Sequence, residues 1–477
     1  MWNRIKEAAF DLMIEGLELL ARLKVYCIRE GSAFLRWIVL SVLVGLCVGV
    51  VGAEFHHAVE WATETRMTHP WLLYLLPVAG LMIVWIYHLL DMDNDRGTEY
   101  ILASVRDASQ LKLRQVPLIF VSTVLTHLCG GSAGREGAAL QIGGGIGSFL
   151  GQVTKLDDKD KRIITMSGMA AGFSALFGTP LTAAVFAMEV ESVGILYYAA
   201  IVPCFTSALL AQIVAGFLGA GGTSFTVLNA PDLTVVAMVQ IVVLGVLCGM
   251  LGNLFCRCMR LVNFIFRYHF KKNWQKVLVS GFLIILLTLI FGRDYNGAGM
   301  DVITAAVEGH VFTWAFLLKI LFTSITLNGG YKGGEIVPSF FIGATFGCVI
   351  GPVLGLSASF GAAVGMVAVF CGVTNSPMTS ILLGYELFAG VGVAPLALAV
   401  AVSYMMSGYT GLYHEQMIVY SKTNASCINV KGDEEYLYDE HSAPIVVPEN
   451  AGKVVWKEKP ASYHEPQEDP PEEETEP

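Results

Sequence analysis

The chain has 477 residues, of which 54% are hydrophobic and only 15% charged. Soluble domains carry about 25% charged residues, so most of this chain must face something other than water. The formal charge of −10 belongs to one end: residues 431–477 hold 14 acidic and 4 basic residues, leaving 26 of each in the other 430. A core balanced in this way gives no reason to expect a nucleic-acid partner.

In chain order, residues 5–24 place Ile5, Phe10, Leu12, Met13, Leu17, Leu20 and Leu23 around one helical face, with charges on the other. This pattern fits an interfacial helix lying along a lipid bilayer, and equally a surface helix packed on protein. No short apolar region followed by a cleavage site precedes it, so no signal peptide is expected. Apolar stretches of spanning length follow near 34–53, 71–90, 163–188, 194–220, 232–255, 276–292, 311–327, 359–376 and 392–413. Between them, 116–151 and 329–357 are apolar but interrupted by glycines. Basic clusters at Arg22, Lys24, Arg29 and Arg36, and again across 257–276, place the N-terminus and that loop on the cytoplasmic side by the positive-inside rule. The tail is rich in Pro and Glu, and its composition predicts disorder in water. The ten cysteines are scattered without a CxxC or Cys/His cluster, so neither a disulfide framework nor a metal site is indicated, and no cofactor motif is present.

An internal repeat organises the chain. GTPLTAAVFAME (178–189) and NSPMTSILLGYE (375–386) share a Pro, a Thr two residues on, and a Glu nine residues after the Pro. Upstream, GSAGREGAALQIG (131–143) and GYKGGEIVPSFFIG (330–343) each run from Gly to Glu in five residues and reach Ile-Gly. Each continues with glycines at four-residue spacing, at Gly143, Gly147 and Gly151 and at Gly343, Gly347 and Gly351. GxxxG spacing predicts close helix packing. Doubled, glycine-broken segments in two halves predict a binding site made of discontinuous helices. The expected organisation is therefore all-α and polytopic. A cytoplasmic segment covers 1–30, a first repeat 31–225, a second repeat of inverted topology 226–420, and an acidic tail 421–477.

The chemistry is expected where the helices break. At Gly134-Arg135-Glu136-Gly137 a helix start would present backbone N–H groups and the positive end of its dipole to an anion. Glu136 could occupy the anion's own place and leave it on protonation; alternatively it only complements the dipole. Gly333-Gly334-Glu335-Ile336-Val337-Pro338 is the second helix start, approaching the same anion with a second carboxylate, Glu335. Lys332 lies three residues earlier and could neutralise Glu335 by a salt bridge. Tyr413 and Thr98 offer hydroxyl donors, though either residue could simply pack or cap. Gly130-Gly131-Ser132-Ala133-Gly134 also fits the G-x-S-x-G nucleophile pattern, which leaves an intramembrane serine hydrolase as a remote alternative centred on Ser132.

GSAGREG resembles the GREGP motif of the CLC family of chloride channels and anion/proton antiporters. GGEIVP is similar to that family's GxFxP motif, and FGTPLTAAVFAMEV and TNSPMTSILLGYEL to its paired Pro-Leu-Thr segments. The resemblance covers about 35–420. It implies that Glu136 is the external gating glutamate and that Tyr413 is the tyrosine lining the anion site. With Thr98, the main-chain groups of Gly134, Arg135, Gly137, Gly334 and Ile336 would bind the anion. RGTEYIL and Glu335 resemble the fluoride/proton antiporter branch, in which the motif glutamate replaces the internal proton glutamate of chloride exchangers; here that position is Val190. The resemblance thus implies fluoride export coupled to proton import by a homodimer of a multi-pass plasma-membrane protein, with both termini cytoplasmic and no enzyme activity. A chloride channel or chloride/proton exchanger of the same fold is the alternative. Arg96 and Glu99 stand where that branch has Met and Asn, and Ala138 replaces the Pro of GREGP. Arg96 could face the inner entrance, or pair with Asp95 or Glu99.

Overall fold

A computed structural model describes residues 2–93, 95, 97–107 and 111–423, together with short strands at 427–431, 435–437 and 445–447. Its first half contains α1 (Trp2–Thr68), α2 (Leu76–Leu89), α3 (Thr98–Asp107), α4 (Gln115–Leu128), α5 (Glu136–Val153), α6 (Asp158–Phe177), α7 (Pro180–Glu189) and α8 (Ile201–Phe217). The second half contains α9 (Val235–His269), α10 (Asn273–Phe291), α11 (Met300–Val307), α12 (Ala315–Asn328), α13 (Ile336–Val353), α14 (Ala358–Thr374), α15 (Pro377–Leu387) and α16 (Val393–Met406). The segment at 5–24 is the beginning of α1, whose backbone continues without a break into the first long apolar stretch.

The repeat is visible helix by helix: α4 and α12, and α5 and α13, have equal lengths and start 200 positions apart. The apolar run at 163–188 is two helices, not one. Gly178 closes α6 in the left-handed region (φ 71°), and Pro180 opens α7, where its missing N–H costs nothing. Asn375 (φ 57°) and Pro377 make the same break between α14 and α15. The glycine-rich run at 116–151 divides into α4 and α5, whereas 336–353 forms one helix of 18 residues. Glycine disfavours an isolated helix, but here packing reverses the balance. A Cβ on Gly143 or Gly147 would fall on the carbonyl oxygens of Gly168 or Ile164, and one on Gly343 or Gly347 on those of Gly365 or Gly361. The helix backbones of α5 and α6, and of α13 and α14, therefore touch directly.

The halves clamp one another reciprocally. Glu189, at the end of α7, accepts hydrogen bonds from Met378 N (3.0 Å), Thr379 N (2.8 Å) and Thr379 Oγ1 (2.5 Å) at the start of α15. Glu386, near the end of α15, accepts from Leu181 N (3.0 Å), Thr182 N (2.8 Å) and Thr182 Oγ1 (2.6 Å) at the start of α7. Each carboxylate satisfies the orphan N–H groups of the partner helix and complements its dipole. That is the chemistry behind a Thr and a Glu at fixed distances after each Pro.

Outward faces are apolar: Val78 and Trp85 on α2, Ile213 and Phe217 on α8, and Leu286 and Leu289 on α10 are exposed. The polar groups, among them Glu136, Gln141, Thr182 and Glu189, are buried. Among the described residues, six helices are long and apolar enough to cross a membrane, and this distribution fits a lipid solvent.

The chain stays attached to the body past residue 420. Strand β1 (Ser192–Val193) pairs in parallel with β2 (Met417–Tyr420), and β2 pairs antiparallel with β3 (Cys427–Lys431). Lys422 Nζ donates to Asn375 Oδ1 (2.5 Å) and Ser407 Oγ (3.0 Å). The expected tail boundary at 421 is therefore too early: apolar alternation in MIVY and CINVK makes a hairpin before the acidic composition takes over. Residues from Asp433 form a separate unit with one antiparallel pair, β4 (Glu435–Leu437) and β5 (Ile445–Val447). The rest of the acidic segment lies outside the described residues.

Candidate functional site

Both glycine-rich breaks come together. Gly134 N donates to Gly334 O (2.6 Å) and Gly334 N to Gly134 O (2.8 Å), an isolated antiparallel bridge between the halves. Space requires glycine here, since a Cβ on Gly334 would lie 2.5 Å from Gly137 N. The bridge fixes the register of the repeat. Helices α5 and α13 begin two residues beyond the paired glycines, so Glu136 corresponds to Ile336 and Arg135 to Glu335. Counting five residues from Gly131 and from Gly330 had matched Glu136 with Glu335. The two carboxylates are one residue out of register.

The first intrahelical bonds run from Ala139 N to Arg135 O (3.0 Å) and from Ser339 N to Glu335 O (3.1 Å). The N–H groups of Glu136, Gly137, Ala138, Ile336 and Val337 therefore have no helical acceptor; Pro338 has no N–H to satisfy. Glu136 fills this space. It is 1% exposed, its Oε2 accepts from Arg135 N (2.9 Å), and its own N–H and that of Val337 also bond its carboxyl. Arg135 Nε lies 3.9 Å from Glu136 Oε1. One carboxylate thus takes donors from both helix starts.

Tyr413 is 1% exposed, and its hydroxyl is buried with no hydrogen-bond partner among the described residues. Both Glu136 and Glu335 lie within its electrostatic reach. Thr98, the first residue of α3, is buried. Its Oγ1 accepts from Gln141 Nε2 (3.4 Å), so the hydroxyl proton is left to donate. Gln141 is joined through Gln115 to Asp95. That polar chain, which sequence reasoning missed, holds Thr98 against the start of α5; buried Gln at 115 and 141 in apolar helices was its signal.

A cavity of about 340 Å³ reaches Glu335 and Thr98 and is also lined by Glu99, Arg260, Lys332 and His414. A second, of about 670 Å³, reaches Arg135 past Glu60, Glu64, Arg66 and Arg293. Glu136 and Tyr413 line neither, while their neighbours Arg135 and Leu412 line the second and the first respectively.

Other expectations change. Lys332 does not pair with Glu335: its Nζ lies 3.0 Å from Asp95 Oδ2 and 4.3 Å from the centroid of the Tyr87 ring. Glu99 Oε1 accepts from His414 N (3.3 Å) and lies 3.7 Å from its ring nitrogen. Arg96 lies outside the described residues. Val190 is buried, and its carbonyl accepts from Gln416 Nε2 (2.8 Å); the neighbouring Glu189 is engaged as a helix clamp. Ser132 is fully buried, with its hydroxyl 3.1 Å from Thr323 Oγ1. A hydroxyl is no general base, so this arrangement lacks the partner a nucleophilic serine requires.

Residues 79–408 match the family described as voltage-gated chloride channel. The chain is 36% identical over 396 residues to a "chloride/fluoride channel protein" of Pseudomonas syringae pv. tomato, covering 81% of this chain and 87% of the relative. It is 26% identical over 390 residues to an H(+)/Cl(−) exchange transporter of Vibrio vulnificus, covering 76% and 84%. Among solved structures, a CLC-type fluoride/proton antiporter superposes with a TM-score of 0.78 at 30% identity, covering 80% of this chain and 97% of that one. A slow cyanobacterial Cl−/H+ antiporter superposes at 0.66 with 24% identity, a likeness of fold.

Proposed function

The chain belongs to the CLC family of voltage-gated chloride channels and anion/proton transporters, and from that membership we propose that it exports fluoride in exchange for protons. It is a multi-pass membrane transport protein, not an enzyme. The observation that carries the antiport reading is Glu136, whose carboxylate takes N–H groups from both helix starts. An anion and an ionised Glu136 compete for one set of donors. Protonation weakens the carboxylate as an acceptor and lets the anion in, which couples the two movements.

Fluoride is compact and strongly hydrated, so its water must be replaced by dense donors. The N–H groups of Gly137 and Ile336, with the hydroxyls of Tyr413 and Thr98, are of that kind. Glu335 borders the 340 Å³ cavity and supplies the second proton-carrying carboxylate, while Val190 cannot titrate. The kinship with a chloride/fluoride channel protein and a fluoride/proton antiporter supports the choice of fluoride. The reading carries with it a homodimer in the plasma membrane, with the 257–276 basic segment and both termini on the cytoplasmic side.

The test is flux from liposomes reconstituted with the full chain. A proton gradient should drive fluoride uphill, with little chloride movement. Fluoride running only down its own gradient would mean a channel, and chloride driven equally well would mean a chloride exchanger.

A further inference from the structure

The Glu335 cavity is lined by three acids as well as by cations. Asp95, Glu99 and Glu335 all line it. Lys332 is held by Asp95, and His414 lies against Glu99. An anion entering here meets Glu335 with one cation of the wall, Lys332, already engaged. Helix α9 supplies a further one: Cys256, Met259, Arg260 and Asn263 line the cavity at spacings of three and four residues, which is one helical face. Arg260 is half-buried, and its Nε and Nη2 are buried without a hydrogen-bond partner among the described residues. Its helix neighbour Arg257 differs, being exposed and bonded from Nε to Asn253 Oδ1 (2.7 Å). Buried guanidinium N–H groups left without an acceptor are costly, and Arg260, as a half-buried residue, also lines the cavity through which an acceptor could reach its charge. Asn263, one turn further along α9, brings an amide to the same wall.

We infer that Arg260, assisted by Asn263, forms a capture site for a small monovalent anion at this mouth of the pathway, ahead of Thr98 and Tyr413. The inference rests on the anion-transport reading above. The guanidinium raises the local anion concentration in an acidic cavity, as a charge in a low-dielectric cleft does. Glu335 can then remain in the wall without excluding the ion it serves. The site acts on entry from one face only.

The experiment uses right-side-out and inside-out membrane vesicles from expressing cells, in which the full chain keeps one orientation. Initial rates are measured against fluoride and chloride concentration. For Arg260→Gln, the half-saturating concentration should rise about three- to tenfold when the Glu335 cavity faces the added anion, the size of one partly screened charge. In the opposite vesicles it should stay at the wild-type value. Arg260→Lys should restore most of the loss. Asn263→Asp, which sets a carboxylate beside the intact arginine, should reproduce it in the same vesicles and serves if Arg260→Gln does not fold. Wild-type half-saturation in Arg260→Gln or Asn263→Asp, or an equal shift from both faces, overturns the capture site. Absence of anion transport by the wild-type chain in either vesicle would instead overturn the transport reading on which it rests.

Discussion

The loops at 130–138 and 330–338 are the same device built twice, and they differ where the charge lies. Each follows a 14-residue helix, passes a glycine with positive φ (Gly130, 86°; Gly330, 107°), bridges to the other through Gly134 or Gly334, and starts an 18-residue helix. In the first loop the residue after the bridge is Arg135, which reaches the 670 Å³ cavity, and the next is Glu136, buried between the helix starts. In the second, the residue after the bridge is Glu335, which reaches the 340 Å³ cavity, and the next is Ile336. A two-fold backbone therefore carries an asymmetric sequence: a cation toward one mouth, an acid toward the other, and a single carboxylate at the centre. On the proposed reading, symmetry supplies the donors for an anion, and the one-residue offset between the glutamates gives the pathway its direction.

The largest expected effect of breaking this asymmetry comes from Glu136→Gln. Proton-driven fluoride transport in liposomes should be lost while passive fluoride flux continues, because the amide resembles the protonated acid and cannot cycle. Full coupling in that variant would remove Glu136 from the centre of the account. Next in size is Gly334→Ala. Its Cβ would press on Gly137 N and Cα, and overpacking of this kind costs about 1–3 kcal/mol. A lower melting temperature in detergent and lost transport are expected. Gly216→Ala, where nothing lies within 4 Å, is the control and should be neutral or stabilising. Smaller still, Thr182→Val and Thr379→Val each remove one hydroxyl donor from Glu386 or Glu189. About 1.5 kcal/mol of stability should go in either case, since hydrogen bonds to charged groups are worth roughly that. Near-equal losses in thermal melts would show the clamps to be symmetric where the loops are not; strongly unequal ones would mean that the two clamps are not equivalent.

Much of this was legible in the sequence for identifiable reasons. The repeat shows in a Pro, a Thr and a Glu recurring at fixed spacing, and the glycines at four-residue spacing mark backbones in contact; the helix start at Pro180 was hidden inside the unbroken apolar run 163–188. The Gly134–Gly137 break announced a helix start, and α5 begins there at Glu136. The register was not legible, since a count from Gly131 and Gly330 aligns the two glutamates and only the inter-loop bridge corrects it. Nor was the partner of Lys332: Asp95 is 237 positions away, and proximity along the chain favoured Glu335. Arg260 sits among six basic residues at 257–276 that look alike as sequence, and only the cavity distinguishes it from Arg257. The hairpin at 417–431 was obscured by the acidic composition that follows it.

The central claim, that the proton leaves Glu136 by way of Glu335 and not by the position of Val190, is tested most directly by the fluoride-to-proton exchange ratio of Glu335→Gln in liposomes, alone and combined with Val190→Glu. The account predicts that Glu335→Gln stops coupled exchange while anion binding persists, and that adding a glutamate at 190 restores nothing. Exchange by Glu335→Gln at the wild-type rate and ratio would contradict it.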